Sequence, residues 1–230
     1  MSKNKRNKPR TAPLVTPLQW LRWADQDYLA ARAILLNGFV LQGATIANTA
    51  IEKYLKTLLA VRKAKFGFTH DIAALYLSLK ASGTAPPLSM DFLSLLGKAY
   101  QLRYPDSVEP GFNLSLPLNK ILVEVDFTVH ALRSGLHFQS ADGRPIYTTL
   151  DNLGQHESTL TDRNVAFGNY SRQKAFAAAS PVYEMRVLPG GNIIEANYIT
   201  SSVTDDAIFN GEALLPQSGS QVASAAQISS

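Results

Sequence analysis

Four side chains of one short segment have the residue types that metal-independent RNA cleavage requires. They are Asp126, His130, Arg133 and His137, at steps of four, three and four residues. At about 100° per residue in an α-helix they would share one stripe roughly 60° wide. Such cleavage needs a base for the 2′-hydroxyl proton, an acid for the leaving oxygen and a cation for the phosphorane. Two histidines and an arginine can fill these roles, with Asp126 orienting His130.

The same stripe has a purely structural interpretation. It lies opposite an apolar series that runs from Ile121 to Leu136. This pattern is also typical of an amphipathic helix whose polar face is solvated. His137 would then stand near a helix C-terminus, where positive charge is favoured. In a symmetric dimer, by contrast, the stripe could meet its copy and form one composite cleft. The spacing alone leaves both interpretations open.

A second group of candidate residues precedes a proline. In the segment Arg103-Tyr104-Pro105-Asp106, Arg103 could bind a phosphate bidentately and Tyr104 could stack on a base. The alternative is a structural corner, in which Arg103 pairs with Asp106 or caps carbonyl groups and Pro105 ends the helix. The segment is therefore a candidate nucleotide or RNA contact.

Two lysines one helical turn apart extend this set of candidates. Lys53 and Lys56 could contact phosphates, although Glu52 and Lys56 are spaced as an i,i+4 pair on a solvated helix face. His70 follows Thr69, a plausible helix cap, and is expected to satisfy backbone groups there. Trp20 and Trp23 are expected in the core or in a dimer contact rather than as stacking platforms.

Helical periodicity places these candidates on five helices. The expected bounds are Thr16-Pro17 to Asn37-Gly38, the region of Ala47 to Arg62, Thr69 to Ser82-Gly83, a fourth helix ending near Tyr104, and a fifth from about Pro117 to about Phe138. Apolar residues recur at three- and four-residue steps in each of them. The sequence thus predicts an all-α, up-and-down bundle over residues 14–139.

Beyond Ala141 the pattern changes. Residues 140–215 are interrupted by Gly and Pro and have no sustained helical stripe, which predicts an irregular extension. Within it, two β-prone runs flank Pro189-Gly190-Gly191-Asn192 and predict a hairpin at 182–199. Residues 216–230 carry no charge and no apolar face, so disorder is expected there.

Charge and composition limit the possible functions. The formal net charge is +4, but residues 1–10 alone carry five cations and no acid, so the other 220 residues sum to −1. Residues 1–13 are therefore expected to be a basic disordered arm, which could add affinity for nucleic acid or simply be solvated. With no cysteine, disulfides and thiolate sites are excluded, and we expect no cofactor and no metal ion. No apolar run suits a membrane span or secretory signal, which favours a cytoplasmic protein.

Four segments together resemble the HEPN family. They are Trp23-Ala24-x-x-Asp27, Ala50-Ile51-Glu52-Lys53-Tyr54-Leu55-Lys56, Thr69-His70-Asp71-Ile72 and Arg103-Tyr104-Pro105-Asp106. The resemblance covers about residues 14–139 and has no counterpart beyond 141. It implies a helical bundle, frequent homodimerisation, and association with RNA metabolism, toxin–antitoxin pairs or antiviral defence.

For function, the resemblance implies a nucleotide-, RNA- or partner-binding module, with an antitoxin or a nucleotidyltransferase as possible partner protein. The alternative is a HEPN ribonuclease that uses His130, Arg133 and His137. Nuclease members of the family carry an Arg followed, after four to six residues, by a His. Here only three residues separate Arg133 from His137.

Overall fold

The computed structural model describes residues 15–67, 69–104, 106, 108–153, 157–167 and 170–203, together with the backbone of a strand at 221–228. The basic arm expected at 1–13 lies outside these residues. Five long helices make up the predicted bundle: α1 Pro17–Leu36, α2 Val40–Val61, α3 Ile72–Ala81, α4 Met90–Gln101 and α5 Leu118–Arg133. The expectation of an all-α bundle of about five helices is confirmed for this part of the chain.

The start of α1 follows the sequence signal closely. Thr16 is the N-cap: its hydroxyl accepts from the Gln19 amide at 3.2 Å, and the Gln19 side chain accepts from the Thr16 amide at 2.9 Å. Pro17 occupies the first helical position, where a missing N–H has no cost. Gly38 adopts a φ of 85° after the last turn, which lets the chain reverse into α2.

Helix α2 is the centre of the bundle and is buried on nearly every side, since it packs against α1, α3, α4 and α5. Gly43 makes the α1 contact possible, because a Cβ at this position would collide with the Leu35 side chain. Helix α3 is capped by Asp71, which accepts from the amides of Ala73 and Ala74. The predicted cap Thr69 instead accepts from the Asp71 amide, so the cap lies two residues later than the sequence suggested.

Two helix ends differ from expectation. Helix α4 ends at Gln101 rather than near Tyr104, and α5 ends at Arg133 rather than near Phe138. Ser134 and Gly135, both poor helix formers, follow α5 directly, and Leu136 stays buried although it lies beyond the helix. An apolar series can therefore continue into the core after the helix that began it has ended.

The region after the bundle is more ordered than the sequence indicated. Its described residues form three short helices, α6 Thr149–Asn152, α7 Ser158–Thr161 and α8 Arg172–Ala177, and the predicted hairpin, β2 Ser180–Val187 and β3 Ile193–Thr200. The hairpin turns with Gly191 at a φ of 82°. A strand that the sequence did not predict, β1 Asn113–Pro117, joins α5 without a loop and pairs antiparallel with β2.

Strand β4 Gln221–Ile228 pairs antiparallel with β3, which gives a four-stranded sheet in the order β1-β2-β3-β4. These residues were expected to be disordered because they lack an apolar pattern. Pairing in a sheet uses backbone groups, so it does not require such a pattern. One face of β2 packs on the helices, and its side chains share a single core with them: Tyr183, Met185 and Val187.

The other face of the sheet buries a carboxylate. Glu184 is 2% exposed and accepts hydrogen bonds from Ser115 at 2.8 Å and Tyr198 at 2.7 Å. Its Oε2 atom has no partner among the described residues. Burial raises the pKa of Glu184, and the hydrogen bonds from Tyr198 and Ser115 only partly oppose this effect.

We predict a pH effect from this group. Because its folded-state pKa is raised, the folded chain holds the proton longer than the unfolded chain does, so its contribution to stability falls as pH rises above the unfolded pKa. Urea unfolding of wild type and Glu184→Gln between pH 4.5 and 7.5 should show a steeper fall in the wild type, because the raised pKa values of Asp126 and Asp25 act in both proteins. An identical pH dependence in both proteins would contradict the prediction.

Candidate functional site

Asp126, the first residue of the predicted stripe, is fully buried. Both of its oxygens lie 2.5 Å from Nη1 of Arg32 in α1, and the Tyr28 hydroxyl donates to it at 2.8 Å. Burial raises the pKa of Asp126 to about 6, and the Arg32 guanidinium is the strongest influence in the opposite direction. Asp126 therefore holds α5 to α1 and does not orient His130.

Arg32 also connects the bundle to the extension. Its Nε donates to the Thr159 carbonyl at 2.8 Å, and its Nη2 donates to the Asp162 carbonyl. Asn164 donates to the Tyr28 hydroxyl at 3.0 Å. Each of these partners comes from the segment that follows α6, so the extension supplies hydrogen-bond acceptors and donors that the helices alone lack.

Arg133 is the centre of a second polar group. Its Nη2 lies 2.8 Å from Asp151, 2.8 Å from the Thr148 hydroxyl and 3.5 Å from the fully buried Asp25. Asp25 also accepts from the Tyr54 hydroxyl at 2.7 Å and from the Thr148 hydroxyl. Burial raises the pKa of Asp25, and its hydrogen bond from Thr148 is the largest opposing influence.

The two histidines of the stripe do not meet. His130 is exposed on α5 and contacts the Phe167 ring edge-on, with ring centroids 5.4 Å apart. His137 is exposed beyond the end of α5 and lines a cleft with Arg133 and Asp151. The four residues of the stripe therefore do not form one site. Asp126 belongs to a buried ion pair, Arg133 is partly buried, and the two histidines lie apart because α5 ends before His137.

The second group of candidates forms a surface at the end of α4. The Arg103 guanidinium lies 4.7 Å from the Tyr100 ring and 5.6 Å from the Tyr104 ring. The His70 ring stacks on Tyr100, with centroids 6.1 Å apart and planes 29° apart. We name these four residues the Tyr100–Arg103 surface. Tyr104 is 65% exposed, and Asp106 is also exposed.

A cleft of about 380 Å³ adjoins this surface, and His70 and Tyr100 form part of it, together with Asp71, Ser94, Lys98 and Gln101. His70 also contacts Glu52, at 3.1 Å. It therefore does not act as a backbone cap, which was its expected role. Instead it links the start of α3 to a carboxylate of α2.

Lys53 and Lys56 have partners within the bundle. Lys53 pairs with Asp27 at 2.5 Å. Lys56 pairs with Glu52 at 2.5 Å, and both are buried, so the expectation of a solvated face at this position is wrong. The face is covered because α2 lies in the centre of the bundle. Trp20, whose ring lies 5.6 Å from the Lys56 ammonium, is half-buried, while Trp23 is 41% exposed.

The sequence did not predict the buried polar contacts of Asp25, Tyr28 and Arg32. A signal was present, because charged residues at 25 and 32 fall among the apolar positions of α1 rather than on its polar side. A charged side chain at a core position implies a buried partner. Within the described part of the chain, no three His, Asp or Glu residues are grouped so that they could hold a metal ion.

Comparison with known proteins agrees with this architecture. The family model of the HEPN domain matches residues 18–121, which span α1 to the first turn of α5. Residues 18–121, just under half of the chain, are therefore similar to a HEPN domain. Neither the search of curated proteins nor that of solved structures found a match. Among the residues that the structure describes, no helix has both the length and the apolar character needed to cross a membrane.

Proposed function

We propose that this chain is a binding module for single-stranded RNA or nucleotides, and that the Tyr100–Arg103 surface is its contact site. The observation that carries the proposal is the position of Arg103, whose guanidinium lies over two tyrosine rings at the end of α4. Arg103 forms no ion pair with the residues that the structure describes, and its side chain is exposed. A cation held in this way is available for a phosphate.

The chemistry of the surface suits a nucleotide better than a free anion. A base can stack on the exposed Tyr104 ring, and Arg103 can then bind the phosphate on the same nucleotide. Lys98, in the adjoining cleft, adds a second cation. Asp71, Asp106 and Lys53 are less suited to this role, since Asp71 caps α3, Asp106 is an acid, and Lys53 is paired with Asp27.

Two observations weigh against the alternative, a ribonuclease that uses His130, Arg133 and His137. Arg133 is engaged by Asp25, Thr148 and Asp151, so its charge is already compensated. Asp126 is occupied by Arg32 and Tyr28 and cannot assist a histidine. We further propose a homodimer that works in a toxin–antitoxin or defence-type system beside an antitoxin or a nucleotidyltransferase. The similarity to a HEPN domain supports this last step.

Fluorescence anisotropy with a labelled single-stranded RNA and with ATP tests the proposed site. Tyr104→Ala is expected to weaken binding about 5- to 150-fold, since stacking one base on an aromatic ring contributes roughly 1–3 kcal/mol. Arg103→Lys should weaken it as well, because lysine keeps the charge but loses the planar stacking geometry. Arg144→Lys, an exposed arginine on another loop, is the matched control and should bind like wild type.

The same samples separate binding from cleavage. The wild-type protein is incubated with the RNA in EDTA for several hours, and the RNA is then run on a denaturing gel. We expect the RNA to remain intact. If the wild type cleaves the RNA without metal and His130→Ala does not, the protein is a ribonuclease and the binding proposal is wrong. Binding that Tyr104→Ala and Arg103→Lys leave unchanged would show that the Tyr100–Arg103 surface is not the contact site.

A further inference from the structure

The Tyr100–Arg103 surface continues across α2 to a pair of tryptophans in α1. The Trp20 and Trp23 rings pack edge-to-face, with centroids 5.9 Å apart. The Lys56 ammonium lies 5.6 Å from the Trp20 ring centroid and 2.5 Å from Oε1 of Glu52. The same Glu52 oxygen lies 3.1 Å from Nδ1 of His70, which belongs to the Tyr100–Arg103 surface. We call Trp20, Trp23, Glu52 and Lys56 the Trp20–Lys56 patch.

The rings of this series are accessible, whereas the charges between them are held in place. Trp23 is 41% exposed, Trp20 is half-buried, and 60% of the His70 side chain is exposed. Glu52 and Lys56 are buried and compensate each other as an ion pair. Trp20 lies against the ammonium and His70 against the carboxylate, so α2 links the two sets of rings through this pair.

The composition of the combined surface favours single-stranded nucleic acid over a protein partner. The core of a protein–protein interface is depleted of charged residues. Here charged groups alternate with rings, since Lys56 and Glu52 follow Trp20, and the Arg103 guanidinium lies over two tyrosine rings. Proteins that bind single strands without sequence preference combine aromatic rings, on which successive bases stack, with cations that follow the backbone.

We propose that the ligand of the Tyr100–Arg103 surface is a single strand of RNA, about four or more nucleotides long, whose further bases stack on the tryptophans of the Trp20–Lys56 patch. This extends the proposed contact site, so it rests on the proposed function. Helices α1 and α4 both pack on α2, so a strand that reaches from Tyr104 to Trp23 crosses a helix about 10–12 Å wide. A dinucleotide is too short for this, and affinity should therefore rise with the length of the strand.

Tryptophan fluorescence reports on the patch alone, because Trp20 and Trp23 are the only tryptophans of the chain. Anisotropy of a labelled uridine dinucleotide and a labelled uridine octamer gives their affinities for the full chain. Fluorescence of the tryptophans, excited where the bases do not absorb, shows which ligand reaches the patch. The octamer should bind at least about 10-fold more tightly than the dinucleotide, because each further stacked base strengthens binding about 5- to 150-fold. Only the octamer should quench the tryptophans.

The possible failures of this experiment distinguish the longer site from the proposed function. Equal affinities for the two ligands, or octamer binding without quenching, would overturn the longer site, while a loss of affinity in Tyr104→Ala would still support the proposed function. Octamer binding with quenching that Tyr104→Ala leaves unchanged would show that the tryptophans bind RNA by themselves. The two surfaces would then not form one site. Failure of both ligands to bind would refute the proposed function together with its extension.

Two variants of Trp23 and one control locate the added contact. Trp23→Ala changes a partly exposed side chain, so it should fold like wild type and lower the ratio of octamer to dinucleotide affinity about 5- to 150-fold. Trp23→Phe keeps a ring and should restore most of this ratio. Phe39→Ala removes another exposed ring, 62% exposed between α1 and α2, and should give the wild-type ratio. A wild-type ratio in Trp23→Ala would overturn the longer site.

A second copy of the chain is the competing occupant of the tryptophan pair. If Trp20 and Trp23 formed a dimer contact, their emission maximum would shift as the protein is diluted without RNA, and Trp23→Ala would sediment as a smaller species than wild type. Either result would overturn the longer site. We expect an emission maximum that does not change on dilution, and equal sedimentation of wild type and Trp23→Ala in analytical ultracentrifugation.

Discussion

Replacement of Arg32 by alanine is expected to lower the free energy of unfolding by about 3–5 kcal/mol, the usual effect of removing one partner of a buried ion pair. Arg32 is fully buried, and its loss would leave Asp126 without its cation inside the core. It would also leave the carbonyls of Thr159 and Asp162 without their donor. Because a folded domain has only about 5–15 kcal/mol of stability, this single change should approach the limit of folding.

Urea denaturation followed by circular dichroism measures this effect. Arg32→Met, which restores much of the volume but not the charge, should remain strongly destabilised, because Asp126 stays unpaired in both variants. Arg144→Ala removes the guanidinium of an exposed pair, 83% and 51% exposed, and should unfold at the wild-type urea concentration. A loss below about 1 kcal/mol in Arg32→Ala would mean that water or a neighbouring group compensates Asp126.

A chain that ends at residue 139 is expected not to fold cooperatively, even though it contains the whole predicted bundle. It would lack six side chains that are buried in the common core: Leu150, Leu160, Tyr183, Met185, Val187 and Val203. Burial of one such side chain contributes about 1.5–3 kcal/mol, so their combined loss, about 9–18 kcal/mol, is as large as the stability of a typical domain, about 5–15 kcal/mol. The truncation would also leave β1 without its neighbour β2 and Arg133 without Thr148 and Asp151.

Differential scanning calorimetry of the truncated chain measures whether it unfolds in a cooperative transition. A chain that ends at residue 203 is the control. The control keeps β1 to β3 and every buried polar contact around Arg32 and Arg133, and it should show a single unfolding transition. The shorter chain should show no sharp transition. Cooperative unfolding of residues 1–139 near the control temperature would show that the extension is dispensable for the bundle.

The sequence was sufficient for the helices of the bundle because each has its own periodic apolar face. Leu21, Tyr28 and Leu35 of α1 were recognised from three- and four-residue steps alone, and all are buried. The hairpin was found from its turn residues and β-prone runs. Strand β1 was missed because it is only five residues long and lies between a proline- and glycine-rich loop and a helix. Its pairing partner follows more than sixty residues later in the chain.

The candidate site was predicted only in part, because some of its residues contact partners that are distant in the sequence. Local spacing grouped Arg103 with Tyr104, which follows it in the sequence, but it did not add Tyr100 or His70, whose rings also belong to the surface. It also grouped Asp126 and Arg133, but it could not show that Arg32 and Asp25 of α1 neutralise them. Periodicity reports which face of a helix a residue occupies, and it does not report what lies against that face.

The contacts around Arg32 and Asp25 also bear on how the chain acquires its structure during synthesis. Apart from Tyr54, which lies 29 residues from Asp25, their partners are distant in the sequence: Asp126 lies 94 residues from Arg32, and Thr148 lies 123 residues from Asp25. The contact between the neighbouring Tyr28 and Asn164 spans 136 residues. Domains rich in such distant contacts fold slowly, since long loops must close before the contacts form. At about 5–20 residues per second, α1 would wait several seconds on the ribosome before Thr148, Thr159 and Asn164 emerge. We therefore expect the nascent helices to keep apolar surface exposed until the extension has been translated.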